Sequence, residues 1–379
     1  MSRHPTASLL TPLGRGAVAT IRVDYLSEGA RILDPLFCAA NRRPLSQQPI
    51  GKIAFGQWGT SETEDLIVCR LASETLEIHC HGGDAAVRRV LSDLTSAGCD
   101  VVDWKTQIHS TQGVLDAELH EVLSQTSTWR TAEYALSQLQ VLPKAIHRLI
   151  ELNQTANQEQ LDESLDELLR WSEFGQRLST PWNVALTGRP NVGKSSLVNA
   201  LLGYRRAIVF DEPGTTRDVV TGETAFEGWP MVLADTAGIR NDAAALEAAG
   251  IELAKARIRA VDLILVLIDI SQSPTDEDIE QIKEFPLKWR RTIVVANKSD
   301  HSDRWGDQLP PDAIRVSCIS GEGVDLLQKE MVRRLIPVTP PLDAAFPVTA
   351  RQMLLLGKAN ACSDPVVRGQ FFEQLFSGA

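Results

Sequence analysis

The six cysteines of this 379-residue chain, Cys38, Cys69, Cys80, Cys99, Cys318 and Cys362, include no Cys-x-x-Cys pair. That spacing signals neither a zinc site nor a thioredoxin-like redox pair, and free thiols suit a reducing compartment. No stretch approaches the run of about eighteen apolar residues that a membrane span needs. The first residues, MSRHPTASLLTPLGRGAV, lack the basic stretch and long apolar core of a secretory signal. A basic excess is missing too: 38 Lys and Arg stand against 49 Asp and Glu, a net charge of −11. That argues against broad electrostatic adhesion to nucleic acid, while leaving room for a local basic patch. Together these absences predict a cytoplasmic protein with no membrane association. Hydrophobic residues at 43% and charged residues at 23% are ordinary for a globular chain, and the length suggests two or three domains.

Organisation changes along the chain. Residues 1–111 read as a strand-rich α+β unit, with β-prone runs at 18–23, 66–71 and 76–80 and a helix over 85–97 that ends at Gly98. In residues 112–180 glycine and β-branched runs thin out. Ile146, Leu149, Ile150 and Leu152, then Leu161, Leu165, Leu168 and Leu169, carry helical periodicity, which predicts two or three long helices. Residues 181–336 alternate strands and helices. The nearly unbroken apolar runs 262–270 and 292–296 predict central strands covered on both faces. Such an open α/β sheet binds ligands at the carboxyl ends of its strands. Residues 337–379 begin with the proline-rich PVTPPLDAAFPVTA and continue with two short helical stretches, 351–361 and 369–376. This segment is too small to bury a core alone and is expected to pack back on the 112–180 helices.

The motifs lie in the third region. Gly188 to Ser196, GRPNVGKSS, has phosphate-loop spacing between a strand and a helix. Backbone N–H groups from Asn191 through Val192, Gly193, Lys194, Ser195 and Ser196 would face phosphates at a helix N-terminus. Lys194 would reach the β- and γ-phosphates, and Ser195 would ligate Mg²⁺. Asp235-Thr236-Ala237-Gly238 follows the next apolar strand; Asp235 would hold a water on Mg²⁺, and Gly238 lets the backbone approach the γ-phosphate. Asn297-Lys298-Ser299-Asp300 reads guanine: Asp300 accepts two donors that adenine does not offer, Asn297 meets the base from the other side, and the Lys298 stem packs on the ring. Ser317 and Cys318 would close over the base. One threonine of DEPGTTRD, Thr216 ahead of Thr215, completes the Mg²⁺ shell. A glutamine to orient water is lacking after DTAG, where Ile239 and Arg240 stand, so an acid from farther along is required. Asp242, Glu247 and Glu252 are available, and spacing does not choose among them.

With TPLGRGAVATIRV at 11–23, EIHCHGG at 77–83, GRPNVGKSSLVNALLG at 188–203, RAIVFDEPGTTRDV at 206–219 and DTAGIR at 235–240, the chain resembles the tRNA modification GTPase family called MnmE or TrmE. The resemblance implies a multidomain α/β fold: a Ras-like P-loop GTPase domain (181–336) inserted in a helical domain (112–180 and 337–379), with an N-terminal folate-binding-like α+β domain (1–111). It implies GTP/GDP, Mg²⁺, K⁺ and a formyl-tetrahydrofolate as ligands. It further implies homodimerisation through the N-terminal domains and transient pairing of G domains. With a flavoprotein partner of the MnmG or GidA kind, such proteins modify C5 of wobble uridine in tRNA. By motif, Asn191 would coordinate K⁺, with Asp211 to Thr215 wrapping it, so that the ion stands in for an arginine finger. Thr216 would bind Mg²⁺, and Glu247 would orient the attacking water. Arg15, Gly16, Arg22 and the turn containing Cys80 would lie near folate.

The chain departs from that pattern in three places, the first being that the helical half after the G domain, 337–379, is much shorter than the family's. It also ends Leu375-Phe376-Ser377-Gly378-Ala379 without the family's cysteine-bearing segment, and VVDWKTQIHSTQGVLDAEL follows Cys99-Asp100 where the family carries a different loop. GTP hydrolysis is expected to survive all three. They keep open an alternative, a divergent paralogue with a regulatory or RNA/ribosome assembly role and no modification chemistry.

Overall fold

A computed structural model describes residues 5–12, 14, 16–25, 30–60, 63–155, 157–203, 221–235, 261–284 and 291–377. The chain divides into two compact units, residues 1–121 with 372–379, and residues 122–371.

The first unit is built on a seven-stranded sheet of order β3-β4-β5-β6-β2-β1-β7. Its elements are β1 (Thr6–Leu9), β2 (Val18–Asp24), a short α1 (Ala30–Leu33), β3 (Phe37–Ala39), β4 (Ile53–Trp58), β5 (Glu64–Arg70), β6 (Thr75–His81), α2 (Asp84–Ser96), β7 (Asp100–Val101), α3 (Trp104–Gln112) and the start of α4 (Val114–Gln125). All pairings are antiparallel except β1 with β7. Antiparallel sheets tolerate water on one face, and the alternation follows. In β4, Ala54, Gly56 and Trp58 turn inward while Ile53, Phe55 and Gln57 turn out. The inward set joins Ile21, Val23, Val68, Ile78 and the α2 residues Val87, Val90 and Leu94 in one core. Each fully buried Ile or Val contributes about 1.5–3 kcal/mol by leaving water. The Trp58 indole N–H donates to Asp93 on α2 at 3.1 Å, so sheet and helix also share a polar bond. Helix begins earlier than the sequence periodicity suggests. Asp103 accepts from the Lys105 N–H at 2.9 Å and starts α3 at Trp104.

The second unit holds a six-stranded sheet of order β13-β12-β11-β8-β10-β9. Its strands are β8 (Trp182–Thr187), β9 (Thr221–Phe226), β10 (Trp229–Asp235), β11 (Leu263–Asp269), β12 (Thr292–Asn297) and β13 (Ile314–Val316). All pair in parallel except β9, which runs antiparallel to β10. Every residue of β11 and β12 is buried, as strands covered on both faces must be. Among the described residues the helices of this unit are α5 (Trp129–Gln154), α6 (Gln158–Arg170), α7 (Ser172–Gln176), α8 (Lys194–Gly203), α9 (Asp276–Glu284), α10 (Val324–Leu335), α11 (Ala350–Ala361) and most of α12 (Pro365–Ser377).

The segment after α10 does pack back on the earlier helices. Asn360 donates to Asp166 on α6 at 3.2 Å, and Arg368 donates to Gln158 at 2.9 Å. Before α11 the chain is threaded onto α5: the Tyr134 hydroxyl donates to the Pro340 carbonyl at 2.9 Å. Gln138 donates to the Ala344 carbonyl at 2.9 Å and accepts the Phe346 N–H at 3.1 Å. An aromatic cluster joins these helices to the sheet. Tyr134 stacks on Trp229 at 6.0 Å, and Phe174 meets Tyr134, Trp229 and Phe346 edge-on at 5.0, 5.5 and 5.6 Å. The turn before Trp229 is held from the helical side: Thr128 donates to the Gly228 carbonyl at 2.7 Å and Arg130 to the Glu227 carbonyl at 2.9 Å.

Candidate nucleotide site

Four strand ends meet at one edge of the second sheet. Register pairs Asp269 with Asn297, Asn297 with Val316, and Val266 with Thr187. From Thr187 the chain turns through the phosphate-loop sequence into α8. Gly188 at φ +152° and Gly193 at φ +100° adopt backbone that L side chains rarely take. At Gly193 the reason is also steric, because a Cβ there would run into the Asn297 amide. Asn191, at φ +64°, takes the left-handed conformation without being glycine, a strain of the kind that collects at functional loops. The Lys194 ammonium donates to the carbonyls of Gly188 at 2.9 Å and Arg189 at 3.0 Å, which folds its stem back over the loop. Val192 is buried, whereas Asn191, Ser195 and Ser196 are exposed around it. The arrangement suits phosphates: unpaired N–H groups at a ten-residue helix start, an ammonium beside them, and an accessible hydroxyl in the first turn.

The second half of the site is a hydrogen-bonded chain. Asn297, 2% exposed, donates to the Val192 carbonyl at 2.8 Å and so ties the end of β12 to the phosphate loop. The Cys318 thiol donates to Asn297 Oδ1 at 3.3 Å, and its burial pushes the thiol pKa up. Ser317, fully buried, donates its hydroxyl to Asp300 at 2.6 Å and accepts the Ile319 and Ser320 N–H groups at 3.3 and 3.2 Å. That hydroxyl, more than any other group, holds the Asp300 carboxyl below its usual range. Asp300 is thus kept as an acceptor, fixed by the serine beneath it. Lys298 stands at φ +65°, with its ammonium on Asp269 at 2.6 Å. Asp269 is 4% exposed. Burial pushes its carboxyl up, but hydrogen bonds from Lys298 and from the Ser271 N–H and hydroxyl outweigh that and leave it below the ordinary value. Sequence reasoning missed Asp269; its signal was an acid closing the apolar run of β11.

The structure therefore gathers Asn191, Val192, Gly193, Lys194, Ser195, Ser196, Asn297, Lys298, Asp300, Ser317 and Cys318 at one sheet edge. Asp235 ends β10, paired with Leu186. Its side chain, and Arg15, Asp211, Thr215, Thr216, Gly238, Asp242, Glu247 and Glu252, lie outside the described residues. Among the described residues no group of three His, Cys, Asp or Glu is placed to hold a metal ion, and no helix is long and apolar enough to cross a membrane.

A family model described as "50S ribosome-binding GTPase" matches residues 183–298, which run from the strand before the phosphate loop to Lys298. The similarity to curated relatives extends much further. The tRNA modification GTPase MnmE of Ligilactobacillus salivarius (strain UCC118) is 30% identical over 413 residues, covering 96% of this chain and 88% of that protein. The tRNA modification GTPase MnmE of Aquifex aeolicus (strain VF5) is 30% identical over 376 residues, covering 88% and 82%. The chain belongs to the MnmE family of tRNA modification GTPases. It is accordingly a GTPase, with a Ras-like P-loop domain embedded in a larger α/β multidomain chain of extensive helical content. Membership implies GTP or GDP with Mg²⁺ as its ligands. Among solved structures, a variant of Aquifex aeolicus Era bound to GDP and AlF4⁻ is 27% identical over 47% of this chain and 65% of that one, at a TM-score of 0.30.

The N-terminal residues that carry the MnmE resemblance do not all share one surface. Arg22 lies on the outer face of β2, its guanidinium on Asp24 at 3.2 Å. The same face carries Thr20, bonded to His79 at 3.1 Å, and Glu77, 3.6 Å from His79. Cys80 points the other way. It is 3% exposed within the core, and its burial pushes the thiol pKa up to about 11. Strand alternation makes this unavoidable once His79 faces out. Cys80 and Arg22 cannot contribute side chains to one pocket on that sheet.

Proposed function

We propose that this MnmE-family GTPase serves modification at C5 of wobble uridine in tRNA, as a homodimer acting with a flavoprotein partner of the MnmG or GidA kind. The observation that carries the reading is the extent of the similarity. It runs over 96% of the chain and so includes the N-terminal and helical parts that a generic GTPase domain lacks. In this reading residues 1–111 form a folate-binding-like dimerisation domain, and residues 112–180 with 337–379 form a helical domain into which the G domain 181–336 is inserted.

The site residues take the following parts. Backbone groups from Asn191 to Ser196 bind the phosphates, Lys194 neutralises charge between β- and γ-phosphate, and Asn297, Lys298, Asp300, Ser317 and Cys318 hold guanine. The exposed Ser195 hydroxyl fits a Mg²⁺ ligand, with Thr216 as the second. The exposed, left-handed Asn191 fits a K⁺ ligand, with Asp211 and Thr215 beside it. A bound monovalent cation supplies positive charge where negative charge develops on phosphate. Gly238 approaches the γ-phosphate and Glu247 positions water. Arg15 and Arg22 would meet the anionic parts of a formyl-tetrahydrofolate; the inward Cys80 does not fit that role.

Mass spectrometry of wobble uridine in tRNA, from the source organism with and without the gene, tests the proposal. Loss of a C5 modification is expected. An unchanged profile would sink it and leave the divergent regulatory or assembly paralogue. The hydrolytic roles have their own check: turnover should rise steeply when K⁺ replaces Na⁺ and fall when Glu247 is replaced by alanine.

A further inference from the structure

The phosphate loop is tied to a residue 89 positions downstream that none of its motifs contains. Asp278, on the first turn of α9, is 1% exposed. An acid at this position of a helix complements the helix dipole and commonly bonds back to the residue before the helix, as Asp278 does to Thr275. Here the carboxylate is turned inward and fully engaged. One oxygen accepts from Arg189 Nε at 2.8 Å; the other accepts from the Thr275 N–H at 3.0 Å and its hydroxyl at 2.7 Å. Burying a carboxylate is costly unless it is paired and hydrogen-bonded, and this one is both.

Arg189 is held at both ends. Its guanidinium sits on Asp278, and its carbonyl accepts from the Lys194 ammonium. It stands between Gly188 and Asn191, two residues with positive φ, so the backbone around it rests in conformations that surrounding contacts must maintain. We propose that Asp278 is a positioning residue for the phosphate loop: through Arg189 it fixes the carbonyls that hold Lys194 and the N–H groups that receive phosphate. The inference rests on the assignment of Lys194 to the phosphates.

The test uses the full chain and four variants: D278N, R189M, the double variant, and K194A. Asparagine at 278 keeps an oxygen for the Thr275 N–H, so it preserves the helix start while removing the charge that holds Arg189. R189M breaks the tether from the other side and leaves α9 intact. Binding of a fluorescent methylanthraniloyl-GDP and steady-state GTP hydrolysis are measured where circular dichroism shows each variant folded. Partners that orient metal ligands typically change affinity about 10- to 100-fold when removed, and a tether that orients a phosphate loop is expected to act on the same scale. D278N and R189M are each expected to weaken GDP and raise KM for GTP within that range. The preference for GTP over ATP should be kept, since the base-reading residues are untouched. The double variant should be no worse than the poorer single one. Wild-type GDP affinity and KM in folded D278N or R189M would overturn the proposal, as would single losses that add in the double variant. Undiminished GDP binding and turnover in K194A would remove the site assignment itself, an outcome separable from the first.

Discussion

In the N-terminal sheet the side chains of β4 alternate between core and solvent, whereas in β11 and β12 of the second sheet every side chain is buried. The difference decides where each sheet can do chemistry. An antiparallel sheet with one open face can present functional groups from the middle of a strand, as β2 and β6 present Thr20, Arg22, Glu77 and His79. A parallel sheet covered on both faces has only its strand ends, so its polar residues crowd at one edge, where Asp269, Asn297 and Ser317 meet. The first sheet offers a surface and the second offers a rim.

The largest expected effect is at the rim. Asp300→Asn turns one of two acceptors into a donor, so guanine's paired donors lose their partner and the C2 carbonyl of xanthine gains one. GTP affinity should fall at least about 100-fold, with XTP binding rising to replace it, read by nucleotide titration. Equal loss of both nucleotides would mean that Asp300 serves structure alone. Next come paired substitutions that set the two sheets against each other. Ile268→Ala, at a fully buried position of β11, should cost about 2–5 kcal/mol in denaturant unfolding. Ile53→Ala, at an outward position that is 74% exposed, should stay within about 0.5 kcal/mol. Comparable costs would erase the distinction between an open and a covered face. The smallest effect is in acid. The Asp269 carboxyl lies below its ordinary value of 3.8 in the fold, so the stability it lends is present above about that pH. That stability is lost as pH falls through the lowered folded value. Asp269→Asn should therefore flatten the decline in melting temperature of the second unit below about pH 4. A decline of unchanged slope would assign acid sensitivity to other carboxylates.

Legibility in the sequence followed the same division. The runs of β11 and β12 were plain because a doubly covered strand leaves an unbroken apolar signature. In the N-terminal sheet β2, β5 and β6 could be read, but β1, β3 and β7 are two to four residues long, and Gly56 and Gln57 interrupt β4. For the site, GRPNVGKSS and NKSD stood out because their spacing is dictated by the ligand. Asp269 and Asp278 did not, because their partners Lys298 and Arg189 become neighbours only through strand register and helix docking. Alternation alone put Cys80 opposite His79; only the packing of α2 shows which of those faces is the core.

The threading of α5 by the segment before α11 has a consequence for synthesis. The bonds from Tyr134 and Gln138 to Pro340, Ala344 and Phe346 span 206 to 208 residues of chain. At about 5–20 residues per second, a ribosome takes about 10 to 40 s to make that interval. For that time α5 has emerged with Tyr134 and the amide of Gln138 lacking their eventual partners, while the whole intervening sheet is being completed. A nascent chain stalled before Pro340 should therefore expose this helix to proteases and chaperones, and release of the segment that follows should close it.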